Sequence, residues 1–117
     1  MIGLAREPLE VHPERVRLCA RAQLDAPWFD GHFPGAPILP AVALLHMAQE
    51  EIAGAWPELV APRCISALRL RRPVGPEQDF ELELTHAAGS HAVVVRFSAE
   101  GAELARARFE YPVGGKA

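Results

Sequence analysis

His32 sits in the stretch Trp28-Phe29-Asp30-Gly31-His32-Phe33-Pro34-Gly35-Ala36-Pro37-Ile38-Leu39-Pro40. Each proline locks φ and each glycine permits angles closed to other residues. A segment holding Gly31, Pro34, Gly35, Pro37 and Pro40 therefore has a tightly set backbone. Histidine changes charge near neutral pH, so an imidazole held in such a loop suits proton transfer. A second histidine, His46, stands one helical turn before Glu50, a spacing that puts both on one helix face. Glu50 there either orients and charges the imidazole or marks a solvated helix end. Arg69, Arg71 and Arg72 form the densest basic patch. It reads as a solvated strand face or as a rim that attracts an acidic partner.

The remaining polar residues offer less chemistry. His12 lies in the polar N-terminal segment, and His86 and His91 flank Gly89 and read as surface residues. No pair of them has metal-ligand spacing, so no metal is expected. Ser66 and Ser98 fall within strands rather than in a nucleophile setting, and a glycine-rich phosphate loop is absent. Asp30 flanks the rigid loop and can cap its turn. Cys19 and Cys64 read as buried, small, apolar side chains in a reducing cytoplasm.

These residues need elements to hold them. Residues 15–24 alternate, with Val16, Leu18, Ala20, Ala22 and Leu24 on one face and Arg15, Arg17, Arg21 and Gln23 on the other, which predicts a half-buried strand. After the rigid loop, 41–55 has helical period. Its first two turns are apolar nearly all round, which predicts burial on most sides. Gln49, Glu50 and Glu51 mark where it emerges, and Gly54 and Pro57 end it. Strands follow at 64–72, at Phe80, Leu82 and Leu84, at Val93, Val95 and Phe97, and at Ala105, Ala107, Phe109 and Tyr111. Gly89-Ser90 and Glu100-Gly101 are hairpin turns. One buried helix with consecutive antiparallel strands gives an α+β domain in which the sheet wraps the helix.

At 117 residues the chain is one domain, 1–117, with a modest core that pairing with a second copy would help. No stretch approaches the roughly 18 apolar residues of a membrane span. The N-terminus lacks a basic region followed by an apolar run, so no secretory signal is expected and the cytoplasm is. A net charge of −3 argues against general nucleic-acid binding. The tail 114–117 is expected to be disordered.

The loop at 31–40 resembles the motif of the β-hydroxyacyl-[acyl carrier protein] dehydratases, Gly-His-Phe-Pro-Gly-x-Pro-x-x-Pro-Gly, which precedes their central helix. Gly31 to Pro40 matches, and Ala41 stands where the family has glycine. Leu68-Arg69-Leu70-Arg71-Arg72-Pro73-Val74 is similar to the family's third strand, and residues 100–107 to its last hairpin. The short variants from aryl polyene and related pigment clusters look closest. They share the leucine-proline start to the helix. The resemblance implies a hotdog fold, an antiparallel sheet around one long helix, paired edge to edge as a homodimer or a higher assembly of dimers.

It also implies roles. His32 would take the α-proton of a 3-hydroxyacyl thioester on acyl carrier protein, with its other ring nitrogen held by the Ile38 carbonyl. The Ala41 N–H would polarise the thioester carbonyl. His46 falls where the family has a carboxylate that handles the departing hydroxyl across the dimer; a protonated imidazole can donate the same proton. Phe33, Pro40, Val42 and Leu45 would line the acyl tunnel, and Arg69, Arg71 and Arg72 would face the carrier protein. Elimination next to a thioester needs no cofactor. Two other readings compete. The chain is a non-catalytic partner of a related hotdog subunit, which the His46 departure favours and the intact His32 loop opposes. Or it is a thioesterase of the same fold, a class that usually lacks this loop.

Overall fold

The structure, a computed structural model, describes residues 4–23 and 38–112. His32, Phe33, Asp30 and the tail at 114–117 lie outside the described residues.

The chain runs β1 (Leu4–His12), β2 (Arg15–Ala22), α1 (Ala41–Ala55), β3 (Cys64–Leu70), β4 (Asp79–Thr85), β5 (Ala92–Ala99) and β6 (Ala102–Glu110). The strands form an antiparallel sheet in the order β1-β2-β4-β5-β6-β3. Alternation explains the middle strands. Val16, Leu18, Ala20 and Ala22 on β2, Phe80, Leu82 and Leu84 on β4, and Val93, Val95 and Phe97 on β5 turn inward and are buried. Arginines and carboxylates take the outer face. There Arg17 stands opposite Glu83 and Arg21 opposite Asp79, which suits cross-strand pairing. Met47, Ala48 and Ile52 of α1 are fully buried and join Phe80, Phe97 and Phe109 in the core. The chain reverses where it must. Glu100 and Gly101 both have positive φ, 52° and 76°, giving the two-residue turn between β5 and β6. Gly89, at φ 79°, sits in the Ala87–Ser90 turn.

Several expectations need correction. β1 was not legible as a strand. It is an edge strand, so Pro8 costs little there, and its pairing slips by one residue between Pro8 and Glu10. The helix is covered on one side rather than on most. Ala43, Leu44, Met47, Ala48 and Ile52 are buried, whereas Val42 is 64% exposed and the His46 side chain 54%. His86 is not a surface residue. It is buried, edge-on to Trp56 at 5.1 Å, with Nδ1 3.0 Å from the Ala92 carbonyl oxygen. Neither cysteine is a core residue, because Cys19 is half-buried on the arginine face of β2 and Cys64 is exposed on edge strand β3. β3 stops at Leu70 because the Arg71 and Arg72 amides both turn to the Leu104 carbonyl. Among the described residues no helix is long and apolar enough to cross a membrane.

Candidate active site

The start of α1 is set by the chain on either side of it. Leu39 donates its amide to the Val74 carbonyl at 2.6 Å, an isolated antiparallel bridge. This bridge ties the entry to the helix against the segment that follows β3. Pro40 is the N-cap, extended at φ −67° and ψ 151°, and no side chain caps the helix. The Pro40 carbonyl accepts from Ala43 at 3.0 Å and from Leu44 at 3.4 Å. The amides of Ala41 and Val42 therefore precede the first intrahelical bonds, at the positive end of the helix dipole.

A cavity of about 300 Å³ opens at this point, lined by Ile38, Leu39, Pro40, Ala41, Leu44, Leu70, Arg71, Arg72, Pro73 and Val74. Its walls are apolar and two arginines stand at its rim. Arg71 is pinned, donating Nε to Glu103 at 2.9 Å. Glu103 also accepts from Arg96 and Arg106. Hydrogen bonds from Arg106 and Arg71, against the opposing effect of burial, pull the Glu103 carboxyl down to about 2. Arg69 and Arg72 make no ion pair among the described residues, so their charge is open to solvent. On the sheet, Arg69 stands directly opposite Arg106, which stands opposite Arg96. A row of like charges opposes strand pairing, and Glu103 offsets it at the Arg106 and Arg96 end.

The structure thus gathers Ile38, Pro40, Ala41, Arg71 and Arg72 around one cavity. Val42 and Leu45, expected in the tunnel wall, do not line it: Val42 is exposed and Leu45 packs against the core. Arg69 points from the exposed edge strand and is not a liner. His46 is also outside the cavity. It lies five residues beyond Ala41, roughly 140° around the helix at about 100° per residue. Sequence reasoning missed Leu70, Pro73 and Val74 as walls, although Pro73 signalled the strand end that turns them toward the helix. It also missed Arg6 and Glu103, which act across 44 and 32 residues of chain.

On its own face of α1, His46 sits beside a charged pair. Its Nε2 is 3.4 Å from Glu50 Oε2. Arg6, from β1, donates Nη2 to Glu50 Oε1 at 2.7 Å and Nη1 to Glu51. Burial works to raise the Glu50 carboxyl, but the bond and charge of Arg6 hold it below its ordinary value.

The antiparallel sheet and its single helix have the hotdog fold of several solved structures. The dehydratase heterocomplex ApeI:P from Xenorhabdus doucetiae superposes with a TM-score of 0.77 over 89% of this chain and 96% of that one, at 18% identity. Thioesterase superfamily member 2 from Mus musculus superposes at 0.71 over 93% and 82%, at 9% identity. By sequence, the 3-hydroxyacyl-[acyl-carrier-protein] dehydratase FabZ of Thermus thermophilus is 31% identical, covering 92% of this chain and 83% of its own. FabZ of Symbiobacterium thermophilum is 34% identical over 65% of this chain and 59% of its own. The family model described as ApeI-like, ApeI dehydratase, matches residues 9–108, and the chain belongs to that family.

Proposed function

We propose that the protein removes water from a 3-hydroxyacyl thioester carried on acyl carrier protein and releases the trans-2-enoyl thioester. The observation that carries this reading is the apolar cavity at the helix start, where no side chain caps the helix and Ala41 is in the cavity wall. A thioester carbonyl placed there gains charge as the α-proton leaves, and an amide at the positive end of a helix stabilises that charge. His32 takes the α-proton. The C–H electrons form the Cα=Cβ bond, the Cβ–O bond breaks, and the hydroxyl leaves as water with a proton from His46 of the partner subunit.

A second chain would bring His46 to the cavity, and the geometry of one chain supports this reading. His46 and the cavity lie on different faces of α1. Edge strand β3 exposes Ile65, Leu68 and Leu70, and its outer edge pairs with no strand among the described residues, a surface that invites a second strand. The partner is a second copy or a related hotdog subunit, and the likeness to a dehydratase heterocomplex supports the latter. Arg71 and Arg72 at the cavity rim, with Arg69 nearby, suit an acidic carrier protein. The test is hydration of a short trans-2-enoyl thioester by wild type and His32→Ala. Loss of a positioned base lowers the rate by about 10² to 10⁴. Near-wild-type turnover in the variant would remove His32 from the mechanism.

A further inference from the structure

We propose that Arg6 and Glu50 are positioning residues for His46, and this rests on the reading of His46 as the acid of the dehydration. An i,i+4 pair on a helix surface, left alone, holds its partners weakly, because both side chains must be kept in one rotamer. Glu50 is not left alone. Arg6 reaches from β1 and clamps two neighbouring carboxylates of α1, Glu50 through Nη2 and Glu51 through Nη1. The Arg6 side chain is 20% exposed, Glu50 38% and His46 54%, so the chain of contacts runs outward from its best-packed member to the imidazole. A planar guanidinium fixes two acceptors at once, which an ammonium does not. The carboxylate so fixed stands 3.4 Å from Nε2 of His46; it sets the ring's orientation and retains the Nε2 hydrogen, so the proton given to the leaving hydroxyl is the one on Nδ1.

The arrangement gives a reason for an imidazole at this helix position. A carboxylate here would stand one turn from Glu50, and like charges at that spacing repel. An imidazole instead accepts Glu50 as a partner. Arg6 thereby links β1, an edge strand that does not line the cavity, to the acid of the reaction.

The test combines kinetics with the imidazole nitrogen spectrum of the intact protein. Glu50→Gln and Arg6→Ala are each expected to lower kcat by about 10- to 100-fold with little change in KM. Arg6→Lys keeps the charge but not the fork and should fall between Arg6→Ala and wild type. In a His46→Ala background, Glu50→Gln should have no further effect, since its action passes through the ring. With the ring neutral, the spectrum of wild type should show the His46 hydrogen on Nε2, and Glu50→Gln should lose that preference. Unchanged kcat in a folded Glu50→Gln variant, or an equal loss with and without His46, overturns the proposal. If wild type fails to turn over the thioester, the functional reading falls instead. The spectrum then decides the positioning by itself: an Nε2 preference indifferent to Glu50→Gln refutes it.

Discussion

Ala41→Pro isolates one hydrogen in the proposed mechanism. Proline at the first helical position is well tolerated, because its fixed φ suits the helix and the amide it removes has no intrahelical partner. The structure meets both conditions. Ala41 follows the N-cap, and the first bonds to the Pro40 carbonyl come from Ala43 and Leu44. Proline also restricts the residue before it to extended angles. Pro40 already has φ −67° and ψ 151°, so no rearrangement is imposed. The Val42 amide is left in place, so the substitution deletes one donor of two. Loss of one such donor to a developing oxyanion lowers kcat by about 10² to 10³, or about 2.7–4 kcal/mol of transition-state stabilisation. The assay is steady-state hydration of a trans-2-enoyl thioester, with thermal unfolding of the same samples. The expected result is an unchanged Tm, a KM near that of wild type and a kcat reduced by that factor. A variant that folds and turns over at the wild-type rate would refute the assignment of the Ala41 amide.

Other outcomes follow from the same structure. His46→Ala should lower dehydration severely whereas His46→Glu retains or raises it, measured as kcat; equal rates for wild type and His46→Ala would make the residue packing alone. Glu103, held near 2 in the fold against an ordinary 4.5, contributes stability that is present above about pH 4.5 and lost as pH falls toward 2. Acid unfolding of Glu103→Gln should lack that part of the transition, and high salt should shrink the difference. Tyr111, the single tyrosine, is pushed up to about 12 by burial. Its phenolate should appear on ultraviolet titration only as pH approaches 12, and the stability that comes from keeping it neutral is lost between about 10 and 12. A phenolate forming near 10 in the folded protein would contradict its burial.

Much of the fold was written in alternation. The inward residues of β2, β4 and β5 recur at every second position, and the turn at Glu100-Gly101 needs the positive φ that glycine supplies. The same rule, carried further, would have corrected two errors. His86 continues the inward series Phe80, Leu82, Leu84, and Cys19 falls between Arg17 and Arg21 on the outward one. β1 was hidden by Pro8 and by a bulge that breaks its period. Hydropathy could not report that Val42 is exposed, because the apolar stripe of α1 is wider than the face the sheet covers. The helix-start cavity was half legible. Ile38, Pro40 and Ala41 are contiguous with the rigid loop, but Leu70 and Val74 reach it through the Leu39–Val74 bridge, a pairing across 35 residues that local pattern does not reveal.

The central claim is that this chain performs elimination and not hydrolysis. Incubating it with a 3-hydroxyacyl group on acyl carrier protein and weighing the intact carrier by mass spectrometry distinguishes the two in one spectrum. The account predicts that the acyl carrier loses the mass of one water while the thioester stays intact, and that His32→Ala abolishes this change. A carrier returned to its free thiol, or an acyl carrier of unchanged mass under conditions where the protein is folded and paired, would contradict it.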